Sequence, residues 1–486
     1  MALQTLRSPG RRADRTVDIL TYLYIALPVI IFILGWVRWY IAVPATLVIL
    51  YSFFRCLRGS ETSLPAVSGK DIKWIAISFG LIVLWVYLSG IGGFAYQNGD
   101  LLTRNETFRL MVENPWPVIA ETESGPRMLS YYIGFWMPAA LFGKIFGLAA
   151  GYVFQYFWAV LGVSLVFLKM AEKLGRWSAA AMVIFIFFSG LDLLGHAVKG
   201  NNVFAMSWQE PIDQWTNLQY SSHTTQLFWV FNQSIYGWLL TLMILNAKRT
   251  GSLVLWWSCG VLSCTFPFVG MFPYLAWMVL RSGLKEKSMG KAIGKMFREL
   301  FTFENVAGGG VIGIISAIYL MNNTSATTKG VMEFQYYPEN YLVNALVFVF
   351  FEAVIYYFFL FRYHRKNVLM YISLACLILC PFARVGHGID FCMRASIPSL
   401  LVLCLLIIEC MADSWKTHKL RFFALLAALL IGSFTPIHEF VRSVERTASL
   451  YASGSPIIGY IDFNVMEGSN FSSSTENNLF IKYLAK

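Results

Sequence analysis

Long apolar stretches separated by short polar segments recur along the chain. Most of them have roughly 15–22 residues, close to the length that a helix needs to cross about 30 Å of hydrocarbon. The pattern therefore predicts about thirteen transmembrane helices. We place these at 17–35, 39–54, 73–93, 148–168, 177–194, 227–246, 252–265, 267–280, 305–321, 341–361, 367–382, 395–412 and 422–437.

Two apolar regions fit a full span less well. The segment 252–280 is short for two spans and is interrupted by Phe266-Pro267, which favours a tight hairpin. The run 129–146 contains Pro138 and Lys144, and counting it as a span would disturb the charge distribution of the loops. We interpret it as an interfacial or re-entrant helix with its aromatic residues at the headgroup level.

Composition agrees with this pattern. Hydrophobic residues make up 57% of the 486 residues and charged residues only 13%, whereas globular proteins average roughly 25% charged. This excludes a disordered chain and argues strongly against a soluble globular protein. We therefore predict an all-α polytopic integral membrane protein, with a transmembrane domain at 1–437 and a C-terminal tail at 438–486.

The net charge of +11 is explained by topology. If the N-terminus is cytoplasmic, most basic residues fall into short cytoplasmic loops, where they face anionic lipid headgroups, so nucleic acid is not needed as a partner. The tail is then extracytoplasmic, and its Ser- and Asn-rich stretch near 468–478 predicts a loop. Longer polar segments lie outside, at about 94–128, 195–226, 322–340 and 383–394.

Function is expected in these outer loops. The cytoplasmic loops contain neither a P-loop nor a glycine-rich dinucleotide fingerprint. The eight cysteines form no CxxC pair, so the sequence indicates neither a disulfide framework nor a zinc site.

The first outer loop contains a candidate acidic residue, Asp100. It follows the turn at Asn98-Gly99 and is well placed to cap a helix of about 101–113, whose apolar stripe predicts an interfacial helix along the membrane surface. Alternatively, Asp100 is a carboxylate beside Arg104 and Asn105, just outside a span, where it would act as general base on a hydroxyl. Both interpretations stay open.

The chain resembles the glycosyltransferase C superfamily in its topology and in the stretches QNGDLLTRNETFRLMVENPWPV, TTQLFWVFNQS and DFCMRASIP. These are polytopic enzymes with an acidic residue early in the first extracytoplasmic loop, surface helices after it, and a polyprenyl-phosphate sugar as donor. The resemblance implies a bacterial enzyme of the cell (inner) membrane. It also implies that Asp100 is catalytic, and that the acceptor is an extracytoplasmic glycan or lipid.

Such chemistry also needs a cation at the departing lipid phosphate. The late outer loop RVGHGIDFCMR supplies Arg384, His387, Asp390 and Arg394 as candidates. An arginine guanidinium binds phosphate through two parallel hydrogen bonds. An equally plausible alternative is that Arg384 and Asp390 pair with each other and fix the loop.

The second outer loop supplies a candidate sugar site. Its acidic and aromatic residues suit sugar hydroxyls and CH faces, although Trp208 and Trp215 fit an interfacial aromatic belt at least as well. The candidate side chains are Glu210, Asp213 and His223. With Asp100 they offer ligands for a divalent metal, but no spacing requires one.

One carboxylate, Glu352, lies in the middle of a predicted span. A buried ionised group is costly and marks either function or an internal contact. We favour a structural hydrogen bond over a proton-coupled pathway.

Three functions compete. The first is a glycosyltransferase that uses a polyprenyl-phosphate sugar, with Asp100 as general base. The second is a surface-polysaccharide polymerase or ligase, which would depend on the arginines with Asp100 dispensable. The third is a transporter or flippase of lipid-linked sugars, which should show paired repeats and broken helices; we detect neither in the sequence.

Overall fold

The computed structural model describes residues 9–59, 62–123, 125–203, 212–213, 215–216, 218–321, 323, 340–383, 390–466 and 471–486. Helices dominate these residues. In the first half they are α1 (Pro9–Trp36), α2 (Trp39–Arg58), α3 (Gly69–Leu88), α4 (Gly99–Glu113), α5 (Met137–Phe146), α6 (Leu148–Leu174), α7 (Ala179–Phe187), α8 (Asp192–Lys199) and α9 (His223–Asn246).

The second half continues in the same manner. Its helices are α10 (Leu253–Ser263), α11 (Thr265–Gly283), α12 (Met289–Leu300), α13 (Gly310–Leu320), α14 (Tyr341–Val349), α15 (Ile355–His364), α16 (Val368–Leu379), α17 (Asp390–Ala395), α18 (Ile397–Thr417), α19 (Lys419–Gly432), α20 (Phe434–Ser453) and α21 (Leu479–Tyr483). π-Helical turns precede α13 (Glu304–Gly309) and α15 (Phe350–Val354), and 3₁₀ turns cover Ile133–Trp136, Cys380–Phe382 and Phe463–Met466.

Nine helical segments among the described residues are long and apolar enough to cross a membrane, and a tenth is formed if the bent pair Met289–Leu300 and Glu304–Leu320 counts as one span. A multi-pass helical membrane protein is therefore consistent with the structure. The predicted count of about thirteen is not confirmed. One predicted span, 252–265, is the 11-residue helix Leu253–Ser263, which reaches only about 17 Å at 1.5 Å per residue.

The run 129–146 is also shorter than a span. It ends in the ten-residue helix α5, whose first residues Met137, Pro138 and Ala139 are buried. This helix packs against α6, and only its last turn, at Ile145 and Phe146, is largely exposed.

Helix α9 lies at the centre of the bundle. In its apolar 18-residue stretch, 94% of the residues are buried, whereas only 22% are buried in the corresponding stretch of α3. Helix α3 therefore faces outward and α9 inward. Helix α6 packs against both α5 and α9. Helix α9 is interrupted at Val230, whose backbone angles (φ −136°, ψ 36°) are not helical, and this irregular turn lies close to the candidate site described below.

The two ends of the bundle differ in character. At one, which we call the basic end, Lys169 of α6 contacts Asp18 of α1, and Asn246 of α9 bonds to Lys169. At the other, which we call the loop end, lie α4 and an antiparallel sheet of β1 (Ile119–Thr122), β2 (Gly125–Leu129) and β3 (Ser472–Ser474), in that order.

One expectation for helix α4 is wrong. The N-cap is Asn98, whose side-chain oxygen accepts a hydrogen bond from the Asp100 backbone N–H at 3.1 Å, so Asp100 is not the cap. The position of the helix along the membrane surface stays a prediction, but the protein covers more of the helix than an apolar stripe indicates. Its polar residues Arg104, Asn105 and Glu106 are buried along with its apolar ones, because α5, α6 and the segment around Gly459 cover it.

The C-terminal tail is more ordered than its composition indicated. Helix α20 runs to Ser453, beyond the predicted start of the tail, and part of the predicted loop is strand β3, which pairs with β2. The last residues return to α1 and α2, where the Arg38 Nε donates to the carbonyl oxygen of Ala485 at 2.8 Å. The tail is thus fixed to the first outer loop.

Phe480 anchors this tail. Its side chain is fully buried, with ring centroids 5.9 Å from Phe32 and 5.3 Å from Tyr319. We expect Phe480→Ala to lower the free energy of unfolding by about 3–5 kcal/mol, since it removes a buried aromatic ring. Thermal unfolding of the purified protein in detergent measures this, with the exposed Tyr483→Ala as control. Equal unfolding temperatures for the two variants would contradict the docked tail.

Candidate functional site

Three sequence-predicted residues lie on α4, which is held firmly at its start. The Asn98 Nδ2 donates to the carbonyl oxygen of Phe228 at 2.9 Å, close to the irregular turn of α9. The Asn105 Nδ2 donates to Gln97 Oε1 at 2.7 Å and to the Gly459 carbonyl at 2.9 Å. Asn105 therefore fixes the helix, and its amide nitrogen is fully occupied by the protein.

Arg104 is the most unusual of these residues, because it is a buried cation that is only partly paired. It is 3% exposed, and its Nη2 donates to Asp100 Oδ2 at 3.1 Å. Its Nε and Nη1 have no hydrogen-bond partner among the described residues. The guanidinium carbon lies 5.9 Å from the ring centroid of Phe231. A buried arginine donor without a partner is costly, so these nitrogens favour an anionic ligand.

Arg394 on α17 is buried in a similar way. It is 5% exposed, and its Nη2 donates to Asp390 Oδ1 at 3.1 Å. Its Nη1 donates to the Tyr132 hydroxyl at 2.5 Å, and its Nε has no partner within the described part of the chain. The rings of Tyr132 and Phe266 lie 6.0 Å and 5.8 Å from its guanidinium carbon.

The two arginines converge on one pair of tyrosines. The ring centroids of Tyr131 and Tyr132 are 3.7 Å apart. Burial raises the pKa of the Tyr131 phenol, and the positive charges of Arg104 and Arg394 both oppose this rise, so both act on the same hydroxyl. Arg394 also interacts electrostatically with Asp100. The first-loop carboxylate and the late arginine therefore lie close enough at the loop end to interact.

We call this group the arginine site and define it as Asp100, Arg104, Tyr131, Tyr132, Asp390 and Arg394. Two guanidiniums face two carboxylates, and three guanidinium nitrogens remain without protein partners among the described residues. The Asp100 side chain is 47% exposed, so it is the member most accessible from outside. Such an arrangement suits a phosphate group held by arginines beside an accessible carboxylate.

Three predicted site residues, Glu210, Arg384 and His387, lie outside the described residues, so the proposed pairing of Arg384 with Asp390 is not tested. Asp390 does have a cationic partner, which is Arg394, four residues further along the same helix. A carboxylate and an arginine at this spacing meet on one helix face.

The described part of the second outer loop is not an exposed sugar platform. Asp213 is buried and accepts hydrogen bonds from Gln219 Nε2 at 2.8 Å and from the Ser222 backbone N–H at 3.1 Å. Burial raises the pKa of its carboxyl well above the usual value. His223 is fully buried, with Nδ1 2.9 Å from the Phe185 carbonyl. Both side chains therefore lie inside the bundle, and their predicted role in binding a sugar stays a prediction.

Trp215 and Glu352 form one buried contact. The Trp215 indole N–H donates to Glu352 Oε1 at 2.6 Å, and Trp215 is only 5% exposed. Trp215 is thus neither part of an interfacial belt nor a surface for a sugar ring. Glu352 has the structural hydrogen bond that we favoured over an ion pathway.

Glu352 also contacts a second buried acid. Asp192 on α8 accepts hydrogen bonds from Ser189 and Thr435, each at 2.7 Å. It lies next to Glu352, where the two carboxyl groups can hydrogen-bond to each other, and Asp192 Oδ1 and Glu352 Oε2 have no other partner among the described residues. Two carboxyl groups make such a bond only when one of them carries a proton. The pair therefore acts as one hydrogen-bonded unit that joins α8, the π-helical turn before α15 and α20.

Sequence reasoning missed Tyr131 and Tyr132, because a tyrosine pair beside an apolar run has no distinctive spacing. It also missed Asp192, although this acid falls inside the predicted span 177–194, where any charge is a signal. The buried pair of Glu439 and Arg442 was overlooked because the predicted span ended at 437; their spacing of three residues was the available signal.

The possible ligands for a divalent metal include Glu210, which lies outside the described residues, so that possibility is not tested. Within the described ranges, no three or more histidine, cysteine, aspartate and glutamate side chains are grouped so that they could hold a metal ion.

Neither protein-family models nor curated proteins give a match to this chain. The function is therefore inferred from the geometry of the arginine site.

The contact between Glu352 and Asp192 gives a prediction for protein stability. In Glu352→Gln, the amide oxygen still accepts from Trp215 and the amide nitrogen donates to Asp192, so we expect unfolding free energy to change by less than about 1 kcal/mol. Glu352→Ala leaves the indole N–H without an acceptor and creates a cavity, and we expect a loss of about 2–4 kcal/mol. Thermal unfolding in detergent compares the two; equal losses would contradict the proton-sharing contact.

Proposed function

We propose that the protein is a membrane glycosyltransferase that transfers a sugar from a polyprenyl-phosphate carrier to an extracytoplasmic glycan or lipid acceptor. One observation carries the proposal: Arg394, far away in the sequence, lies close enough to the Asp100–Arg104 pair to interact with Asp100, and both arginines keep guanidinium nitrogens that are unpartnered among the described residues. The resemblance of the first loop to the glycosyltransferase C superfamily supports it.

In the proposed reaction, an acceptor hydroxyl attacks the anomeric carbon of the lipid-linked sugar. A new C–O bond to the acceptor forms as the C–O bond to the carrier phosphate breaks, and that electron pair leaves with the phosphate. Asp100 takes the hydroxyl proton as general base. A single displacement of this kind inverts the anomeric configuration.

The arginines stabilise the charge that develops on the departing phosphate. Their unpartnered N–H groups are already oriented in a buried environment, where a charge-assisted hydrogen bond is stronger than in water. Asp390 and Tyr132 hold Arg394 by its Nη atoms and leave its Nε for the phosphate. In the proposed topology, the loop end faces the outside of a bacterial cell membrane.

A surface-polysaccharide polymerase or ligase is the second candidate, and one contact favours it. Arg104 donates to Asp100 Oδ2 at 3.1 Å, so one of the two carboxylate oxygens already has a partner within the protein. In that function the arginines bind the lipid-linked phosphate and Asp100 only holds Arg104 in place.

The variant Asp100→Asn distinguishes the two functions. Its amide oxygen still accepts from Arg104, but it cannot take a proton. For the glycosyltransferase we expect glycan modification in membranes of the source cell to fall about 10²–10⁴-fold, the usual contribution of a general base.

The matched control is Glu113→Gln, which removes a half-exposed carboxylate at the other end of α4 and should leave modification unchanged. Unfolding temperatures of both variants should equal that of the unmodified protein. Full modification by the Asp100→Asn protein would exclude Asp100 as the base and favour the polymerase or ligase.

A further inference from the structure

A polar cavity lies at the basic end, and none of its lining residues belongs to the arginine site. It has a volume of about 710 Å³ and is found between α1, α2, α6, α9 and the segment from α12 to the following π-helical turn. Its lining includes six basic and four acidic side chains, a net charge of +2. The cavity has no place in the proposed transfer reaction.

Most of the acidic side chains in this cavity are already paired. Lys169 lies 3.3 Å from Asp18 and 3.1 Å from Glu172, and together they form a buried floor. Arg55 pairs with Glu304 at 2.8 Å, while Glu299 accepts a hydrogen bond from Thr250. The charges of the floor are therefore largely balanced by the protein itself.

The remaining positive charge lies near the opening. Arg58 and Arg298 line the cavity and are exposed, and neither has a carboxylate within 4 Å among the described residues. Arg58 lies over the Phe54 ring at 4.3 Å, which holds its guanidinium next to the cavity. Two exposed guanidiniums at the mouth of a polar cavity favour a phosphate group.

Helix α12 indicates that the phosphate belongs to a lipid. All of its residues, Met289–Leu300, are described, and none of them is buried. Met289, Ile293 and Phe297 project from one side, whereas Lys291 and Arg298 project from the other. A basic amphipathic helix of this kind lies in the membrane interface with its apolar side in the acyl region.

The wall of the cavity also faces the bilayer. Tyr51 and Phe54 line the cavity and are 51% and 45% exposed. They belong to α2, where only 39% of the apolar 18-residue stretch is buried. An occupant therefore reaches Arg58 from the lipid phase along two aromatic side chains. This geometry suits a molecule with a phosphate head and acyl chains better than a soluble phosphate.

We propose that this cavity binds an anionic phospholipid. The headgroup phosphate contacts Arg58 and Arg298, and the acyl chains lie along Tyr51 and Phe54. The site is separate from the arginine site, so it holds whether or not the protein is a glycosyltransferase.

Native mass spectrometry of the full-length protein, purified with phosphatidylglycerol in mild detergent, tests the proposal. We expect the double variant Arg58→Gln/Arg298→Gln to retain about tenfold less phosphatidylglycerol than the unmodified protein, because two cations near the anionic headgroup are lost. Phosphatidylcholine should be retained weakly by both proteins.

The matched control is Arg362→Gln/Arg365→Gln, which removes two exposed arginines at the end of α15, outside the cavity. Its lipid retention should stay unchanged. All four substitutions are at exposed positions, so unfolding temperatures should also be unchanged. Equal phosphatidylglycerol retention by the two double variants would overturn the proposal.

A soluble ligand is tested in parallel. Calorimetric titration with inorganic phosphate and with ATP should show no saturable binding that depends on Arg58 and Arg298. Saturable binding that is lost in the cavity variant would overturn the assignment to a lipid and identify a soluble phosphate compound as the occupant.

Discussion

Burial of two arginine side chains at the loop end constrains much of the surrounding structure. A guanidinium loses its hydration when it enters an apolar bundle, so each must find partners that the protein provides. Asp100 and Asp390 supply the charges, Tyr132 supplies a hydroxyl, and aromatic rings cover the flat faces of the cations. Each aspartate lies four residues before its arginine on the same helix, whereas Tyr132 and the rings of Phe231 and Phe266 come from other segments. The two arginines therefore tie α4 to α9, and α17 to the segments around Tyr132 and Phe266.

The neighbouring elements support this arrangement. The break in α9 at Val230 lies between Phe228, whose carbonyl accepts from Asn98, and Phe231, whose ring contacts Arg104. Segments that follow α20 cover α4 from the other side, through the contact of Asn105 with Gly459. The loop end is therefore a folded cap over the helical bundle, and the basic end carries a separate polar cavity.

Sequence patterns predicted the features that depend on short stretches of the chain. Apolar length located most of the long helices, and the charge at Glu352 indicated a buried contact. The patterns failed where tertiary contacts decide: the apolar stripe of α4 gave no sign that its polar residues Arg104, Asn105 and Glu106 are buried as well. Similarly, the Ser-rich tail gave no signal for β3, because a strand of three residues depends on its partner strand.

If Arg104 and Arg394 bind one phosphate beside Asp100, the bound group should be visible directly. The decisive measurement is an electron cryomicroscopy map of the protein in lipid nanodiscs with added farnesyl phosphate, a short analogue of the carrier. We expect one phosphate density within hydrogen-bond distance of both guanidiniums. Density that contacts neither arginine, or that lies only at the basic end, would contradict it.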